Sequence, residues 1–529
     1  MEISQPIYCS SSYSQRLRQK TIAAINKKKE TDLGINAVIQ GCNLISLSGK
    51  FVQTTPCIPK NCAHVKSQVY RSYKDRMDRI FGCNLCCYTS TPTPTLTSII
   101  LVYNTTQGSS FLWNTVTFTL DTSLPNYSYT ANITSIPGSQ VPSPSNLIGV
   151  TIKNTVTSIG DFAFQGCITL TTITIPNSVT SIGIEAFKGC SSLTSVIFAP
   201  TSILASIGDY AFGDCTSLTT ITIPNLVTTI GDSAFQGCSA LTTITIPNSV
   251  TTIGDSAFQG CSALTTITIP NLVTTIGDDS FANCFALTSI TIPNSVTTIG
   301  DDSFANCSAL TSITIPNSVT TIHEGTFQGC SALTSIIIPS SVTSIGINAF
   351  IYCTVLTSIT IPNSVISIGQ GAFNSSGLTS IIIPNSVTSI DNFAFINCGG
   401  LTSVTFTPTS TLGSIGIQAF SNCSLLTSIT IPDSVISISG SAFSGSGLVS
   451  VTLPTNLSFT TISPNTFYLC ASLTSIIIPS SITSIGPDAF LSSGLTTVTI
   501  ANGQLAGIAS PTANPPGVAF FGVTVATIL

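Results

Sequence analysis

The residues best suited to bind a metal lie near the N-terminus. Cys57 and Cys62 have four residues between them, and Cys83 and Cys86 follow with two residues between them. His64 adds an imidazole beside the first pair. Thiolate and imidazole groups at such spacings are the ligands of tetrahedral structural zinc. The first pair is wider than in common zinc fingers, so unligated thiols are the favoured interpretation and a structural zinc is the alternative. No other cofactor is predicted.

A second set of cysteines recurs at regular intervals along the chain. The set is Cys167, Cys190, Cys215, Cys238, Cys261, Cys284, Cys307, Cys330, Cys353, Cys398, Cys423 and Cys470. Thiols at equivalent positions of successive repeats are expected to pack as small buried hydrophobic groups, since a ladder of disulfides would have to break the repeat symmetry in pairs. We therefore predict reduced structural thiols, which favours a reducing, cytoplasmic compartment over a cell surface or a virion.

Acidic side chains also recur with the same spacing. They are Asp209, Asp232, Asp255, Asp278, Asp301 and Glu324. The favoured interpretation is a solvated stripe of carboxylates that begin short helical segments, with weak calcium binding as the alternative. His323 lies next to Glu324 and is interpreted as a turn variant, because one histidine without an oriented partner is a poor acid–base pair. The sequence contains no glycine-rich phosphate loop after a strand and no serine nucleophile elbow, so we predict that the protein is not an enzyme.

Alternating hydroxyl residues form the candidate binding surface. The pattern L-x-x-I-x-I-P directs isoleucines inward and leaves Thr or Ser outward on the same strand. The predicted binding residues are Thr220, Thr222, Thr243, Thr245, Thr266, Thr268, Ser289, Thr291, Ser312 and Thr314. Such a neutral surface can form hydrogen bonds with a protein or a glycan. It also resembles the Thr-x-Thr array of ice-binding solenoids, but serine interrupts the threonines and a curved sheet matches a flat ice plane poorly.

These residues are positioned by one repeated unit. Residues 241–263 read LTTITIPNSVTTIGDSAFQGCSA, and closely similar copies occupy 264–286 and 287–309. One phenylalanine marks each copy, most of them 23 residues apart: Phe164, Phe187, Phe212, Phe235, Phe258, Phe281, Phe304, Phe327, Phe350, Phe373, Phe395, Phe420, Phe443, Phe467 and Phe490. A fixed period of this size predicts a solenoid built by stacking coils. Within the unit, Pro247 should end the strand, Gly254 should permit a bend, and Asp255 should begin a short helical segment.

The unit resembles the BspA-like branch of the leucine-rich repeats, which combines L-x-x-I-x-I-P with I-G-x-x-A-F-x-x-C. The resemblance covers residues 147–500, about fifteen coils. It implies a curved right-handed coil with a parallel β-sheet on the concave face and short helical or extended convex segments. It also implies recognition or adhesion, often at cell surfaces. Ser376, Ser446 and Ser493 replace the cysteine in shortened coils, which indicates that the cysteine serves packing rather than chemistry.

The remaining regions differ in charge and composition. Residues 1–90 carry 13 bases and 5 acids, a net charge of 13 − 5 = +8, whereas the rest carries 2 bases and 15 acids, or −13. Helices are predicted at 14–29 and 64–81. Residues 91–146 are read as a Pro/Thr linker followed by a small β module or N-cap, with strands at 96–103, 111–120 and 127–136. Residues 501–529 are a cap or tail, with a partner-binding strand as the alternative.

Extra residues also enter the repeat near 200–205, 408–413 and 455–461. Because all three insertions follow a strand, we expect them to bulge on the same edge of the solenoid.

These patterns favour a non-enzymatic recognition or adhesion scaffold that binds protein or glycan on the concave face. The alternative is a structural or assembly protein, viral or cytoskeletal, anchored through the basic N-terminal region. Contact with nucleic acid or an anionic surface is expected only through residues 1–90. No apolar run is long enough to span a bilayer, and the N-terminus lacks the apolar segment of a secretory signal, so neither is predicted.

Overall fold

The computed structural model describes residues 99–124 and 126–500, together with the backbone of residues 524–528. The chain divides into two compact units, Met1–Pro94 and Thr95–Leu529. The predicted N-terminal helices and the candidate zinc ligands Cys57, Cys62, Cys83 and Cys86 lie outside the described residues. The fold below therefore concerns the second unit.

The second unit begins with an antiparallel module. Its strands are β1 (Ile99–Tyr103), β2 (Ser110–Trp113), β3 (Val116–Leu120) and β4 (Tyr127–Ala131). The prediction of a single strand over residues 111–120 is wrong, because these residues form the β2–β3 hairpin. Asn114 at the turn adopts φ 56°, the left-handed conformation that tight hairpin turns require and asparagine tolerates. β1 pairs antiparallel with both β4 and β6 (Leu147–Ile152), which joins the module to the solenoid.

All but one of the coils contribute a strand to a first row that follows the T-x-T pattern, and the exception forms only an isolated bridge between Thr360 and Ile337. After β6, this row contains β8 (Thr172–Ile175), β10 (Ser195–Phe198), β12 (Thr220–Thr222), β14 (Thr243–Thr245), β16 (Thr266–Thr268), β18 (Ser289–Thr291), β20 (Ser312–Thr314), β22 (Ser335–Ile337), β25 (Ser380–Ile383), β27 (Ser403–Phe406), β29 (Ser428–Thr430), β31 (Ser450–Thr452), β33 (Ser475–Ile477) and β35 (Thr497–Ile500). The strands are parallel and in register, so that Ile221 pairs with Ile244. Central isoleucines face the core, as their buried positions show.

A second row of two-residue strands forms another side of the coil. It contains β5 (Ser135–Ile136), β7 (Ser158–Ile159), β9 (Ser181–Ile182), β11 (Ser206–Ile207), β13 (Thr229–Ile230), β15 (Thr252–Ile253), β17 (Thr275–Ile276), β19 (Thr298–Ile299), β21 (Thr321–Ile322), β23 (Ser344–Ile345), β24 (Ser367–Ile368), β26 (Ser389–Ile390), β28 (Ser414–Ile415), β30 (Ser437–Ile438), β32 (Thr461–Ile462) and β34 (Ser484–Ile485). These strands are also parallel. The pairing begins at β5, earlier than the solenoid boundary predicted at residue 147. Together the rows define a parallel β-solenoid of about sixteen turns.

The third side of each coil consists of turns, and the short helix predicted from Asp255 does not form. Ser256 and Gly260 have φ values of 56° and 73°, and two left-handed residues within five interrupt a right-handed helix. Their amides donate to the following coil instead, from Ser256 to the Asp278 carbonyl at 2.7 Å and from Gly260 to the Ala282 carbonyl at 2.8 Å. The side is therefore held by bonds between coils. In the described residues the helical structure is a 3-10 turn at Pro144–Asn146.

Stacked phenylalanines form the centre of the solenoid. Consecutive rings from Phe164 to Phe490 lie 5.1–5.8 Å apart between centroids and are nearly parallel. Trp113 of the antiparallel module packs edge-on against Phe164 at 5.5 Å. Each aromatic pair contributes about 0.5–1.5 kcal/mol beyond its burial. The module thus covers the aromatic column at its first coil.

At the other end, the backbone of β36 (Thr524–Ile528) pairs in parallel with β35, with Thr497 opposite Thr524. This pairing extends the last first-row sheet by one strand.

Candidate functional site

The predicted binding residues lie together on the outward side of five first-row strands. We call this surface, Thr220, Thr222, Thr243, Thr245, Thr266, Thr268, Ser289, Thr291, Ser312 and Thr314, the hydroxyl face. Every one of these side chains is exposed, and the isoleucine between each pair is buried. Register holds along the rows, with Thr245 opposite Thr222 and Thr268 opposite Thr291. Parallel strands place equivalent hydroxyls about 4.8 Å apart.

The hydroxyl face differs from neighbouring hydroxyl rows in its hydrogen bonding. Thr242, one residue before the face, donates its hydroxyl to the Thr219 carbonyl at 3.1 Å, and Ser249 donates to the Val227 carbonyl at 2.5 Å. Residues equivalent to Thr242 and to Ser249 in other coils donate comparable bonds to the preceding coil. Within the described part of the chain, the hydroxyls of Thr243 and Thr245 make no such bond. They are therefore free to bond an external ligand.

Exposed isoleucines interrupt the second outward row, which the sequence prediction missed. The residues are Ile197, Ile337, Ile382 and Ile477, with 52%, 73%, 60% and 67% of their surface exposed. Ile337 follows Thr314 in register, and Ile382 pairs with Thr405. The available signal was an isoleucine at the second outward position of L-x-x-I-x-I-P. These positions make parts of the surface apolar.

The aspartate stripe has a structural role that the sequence did not indicate. Each carboxylate accepts the backbone N–H of the equivalent residue in the next coil, as in Asp255 N to Asp232 Oδ1 at 3.0 Å and Asp278 N to Asp255 Oδ1 at 3.1 Å. The bonds from Asp209 and Asp301 are of the same kind. The predicted helix starts are wrong, because no helix begins at these residues. The aspartates are of intermediate exposure and cap the next coil, and Glu324 is exposed.

The glycine that precedes each aspartate in the repeat follows from the same contact. A Cβ on Gly254 would lie 2.7 Å from both the backbone nitrogen and Oδ1 of Asp232. The predicted bend is not the reason for glycine here, because Gly254 is not among the residues with positive φ. Close approach of the preceding coil is the reason.

A pair of additional acids lies beside the stripe. Burial, followed by repulsion from Asp302 and Asp278, raises the pKa of Asp279 to about 6. Burial and the nearby Glu324 also raise the pKa of Asp302. Both residues adopt left-handed backbone, with φ 55° and 51°. These carboxylates repel one another, and among the described residues no group of three Asp, Glu, His or Cys side chains is arranged to hold a metal ion.

His323 occupies the glycine position of its coil. Its Nδ1 lies 3.6 Å from Asp301 Oδ1, and its side chain is 40% exposed. The same Asp301 oxygen accepts the Glu324 N–H at 3.2 Å. The histidine therefore faces the acid of the preceding coil, where it can form an ion pair when protonated.

The repeat cysteines are free and buried. From Cys190 onward, each Sγ donates to the carbonyl of the phenylalanine in the preceding coil at 3.0–3.3 Å. Burial raises the pKa of Cys238, Cys307 and Cys353 to about 12. Where serine replaces cysteine, Ser376 Oγ lies 3.4 Å from Cys398 Sγ. Burial thus favours the protonated thiol at Cys238, Cys307 and Cys353, and the buried column supports packing.

Three insertions alter the edge of the solenoid. The first, near residues 200–205, borders a groove of about 670 Å³ between β10 and the turn after β12. Thr220 and Thr222 of the hydroxyl face contribute to its wall. The hydroxyl face is therefore bordered by a concave site of the size that binds a ligand group.

This repeating coil, with its stacked core and outward hydroxyl rows, defines a leucine-rich repeat protein. The chain belongs to the family described as BspA type leucine rich repeat region, whose model matches residues 114–204, 134–265, 200–311, 297–412 and 390–509. No catalytic family is indicated. The protein is thus a repeat scaffold of the kind that serves protein interaction or adhesion.

A solved structure agrees with this assignment, and two more are given for their sequence similarity alone. A leucine-rich repeat protein from Bacteroides ovatus is 27% identical, with a TM-score of 0.51, and the match covers 74% of this chain and 94% of that one. A leucine rich cell surface protein from Faecalibacterium prausnitzii is 26% identical over 74% and 88% of the two chains, with a TM-score of 0.31. A leucine-rich repeat protein from Eubacterium ventriosum is 25% identical over 75% and 96%, with a TM-score of 0.37.

A search of curated proteins found no significant match. In the part of the chain that the structure describes, no helix has the length and apolar character needed to cross a membrane.

Proposed function

We propose that the hydroxyl face is the surface through which this scaffold binds a protein or glycan ligand, and that the chain has no enzymatic activity. The observation that carries the proposal is the contrast between Thr242, whose hydroxyl bonds the preceding coil, and Thr243 and Thr245, whose exposed hydroxyls have no partner among the described residues. Exposed hydroxyls held on a rigid sheet can exchange water for ligand groups with little loss of side-chain freedom.

The proposal also fits the chemistry of the surface. The face carries no ionisable side chain, so recognition would depend on hydrogen bonds and shape rather than on charge. Solenoids place such extended sheets where partners can contact several coils at once. The alternative role, assembly through the basic region, depends on residues 1–90, which lie outside the described residues.

Photo-crosslinking in the full chain tests the proposal. A benzophenone amino acid at Thr245 should capture a protein or glycan ligand, whereas the same group at the exposed Thr252 on β15 should not. Replacing Thr243, Thr245, Thr266 and Thr268 with valine keeps the β-branched shape and removes the hydroxyls. We expect ligand binding to weaken at least tenfold, while Thr242→Val, the matched control, leaves it unchanged. Capture at Thr252 alone would contradict the proposal.

A further inference from the structure

Two of the three insertions have the same sequence pattern and the same backbone. The first bulge, residues 199–205, and the second bulge, residues 407–413, both contain Pro-Thr-Ser-x-Leu. Thr201 and Thr409 both adopt φ 62°. The amides of Leu204 and Leu412 donate to the serine hydroxyl two residues earlier at 3.4 and 3.3 Å. Both leucines are fully buried, so the two bulges are anchored in the same way.

The side chains around the two bulges differ in one consistent respect. Ile197, Ile203 and Leu226 surround the first bulge, with 52%, 46% and 55% of their surface exposed. The equivalent positions around the second bulge carry Thr405, Thr411 and Ser434. The same bulge is thus formed with hydroxyl residues at these three sites. Packing does not explain why the first bulge has aliphatic residues.

At the first bulge, these aliphatic side chains converge on the groove of about 670 Å³. Of the described residues that line it, none is charged, and the polar ones are Ser195, Thr201, Ser202, Thr220, Thr222 and Asn225. Binding sites typically combine apolar side chains with placed hydrogen-bonding groups. Exposed aliphatic groups that converge in this way are a mark of recognition surfaces.

We propose that this groove binds an uncharged segment of a protein partner by taking up one aliphatic side chain. The branched groups of Ile197, Ile203 and Leu226 would cover that side chain, while Thr222 and Asn225 bond the adjacent peptide groups. A charged segment would lose hydration without gaining a counter-charge. A glycan is disfavoured because its hydroxyls would be unpaired against three aliphatic groups. The proposal rests on the proposed function, since Thr220 and Thr222 of the hydroxyl face line the groove.

Methyl NMR of the full chain provides the test. The probe is a blocked peptide, Gly-Ser-Leu-Ser-Gly, and the controls are the same peptide with lysine in place of leucine, and maltose. We expect saturable shifts of the Ile197, Ile203 and Leu226 methyl signals with the leucine peptide alone. The double variant I197T/I203T should weaken binding at least tenfold, since it installs the residues found at the second bulge.

The reciprocal variant T405I/T411I should create saturable binding at the second bulge, visible in the new isoleucine methyl signals. Unchanged methyl signals elsewhere in both variants would establish that the solenoid is intact. The absence of saturable shifts, equal affinity for the lysine peptide, binding of maltose instead, or unaltered affinity in I197T/I203T would each overturn the proposal. Crosslinking at Thr245 that persists in I197T/I203T would leave the proposed function standing while the groove proposal fails.

Discussion

At the scale of single residues, the aspartates connect one coil to the next. Asp232 Oδ1 accepts the Asp255 amide at 3.0 Å, and Asn392 supplies the same acceptor to the Ile417 amide at 2.7 Å in a later coil. The requirement is therefore for an acceptor oxygen at this distance rather than for a negative charge. A partly buried amide left without an acceptor is costly, whereas an exchange of one acceptor for another is mild.

Replacing Asp232 with alanine should consequently destabilise the protein by about 1–3 kcal/mol, because it leaves the Asp255 amide unsatisfied. Asp232→Asn keeps an acceptor and should cost less than about 1 kcal/mol. Urea denaturation followed by circular dichroism measures both. Equal destabilisation by the two substitutions would mean that charge, and not the hydrogen bond, is what the position requires.

Asp279 should make stability depend on pH. Its folded-state pKa of about 6 exceeds the ordinary value of a carboxyl group, so the folded chain binds more protons than the unfolded chain. The stability that the folded protein gains from protonation of Asp279 is fully present below about pH 4 and is lost as pH rises through 6. Asp279→Asn removes the charge and should stabilise the protein at pH 7.5 by about 1 kcal/mol, after allowance for partial exposure.

Asparagine is a suitable replacement because Asn348 and Asn465 already occupy the equivalent left-handed position, with φ 54° and 56°. The matched control is Asp488→Asn, at the same position in an exposed setting. In thermal melts between pH 4 and 8, the melting temperatures of the wild-type protein and Asp279→Asn should converge at pH 4. A difference that is independent of pH would contradict the assignment.

At the scale of the element, the column of thiols is predicted to be chemically inert while the coil is folded. At pH 8, thiols such as Cys238, with a pKa of about 12, are almost entirely protonated, and iodoacetamide reacts with thiolates. Peptide mapping after labelling should find the twelve repeat cysteines unmodified in the folded protein and fully modified in denaturant. Labelling of Cys261 or its neighbours without denaturant would show that the coils open locally.

The limits of sequence prediction are clearest within a single coil. Alternation of isoleucine and threonine placed Ile244 inward and Thr245 outward, because a strand has a period of two. The turn side was mistaken for a helix, because its left-handed residues include Ser256, Asp279 and Glu185, which do not signal such a conformation as glycine does. The groove was missed because Ile203 and Leu226 come together only after the coils stack. Local patterns predict the coil, and contacts between coils determine its details.

At the scale of the molecule, a solenoid is stabilised by contacts between neighbouring coils rather than by one global core. Residues 264–286 form one complete coil that contains β16, β17 and Phe281. Deleting them joins Ala263 to Leu287. Ala263 is already followed by a leucine in the intact chain, so every later coil stays in register. The Phe258 ring would then face Phe304 at the spacing of the column. We expect a folded protein with one coil fewer and a small decrease in stability.

Trp113 makes this prediction measurable, because it is the single tryptophan and is 1% exposed. Its indole N–H donates to the Ser139 carbonyl at 2.8 Å, and its ring packs on Phe164. Its buried emission should therefore be retained in the deletion variant, together with the circular dichroism per residue. Deleting residues 264–275 instead shifts the following chain by about half a coil. Asp279 and Thr288 then take isoleucine positions of the core, and Pro293 takes the phenylalanine position. That variant should lose cooperative unfolding. If both deletions unfold alike, neighbouring-coil contacts are not the source of stability.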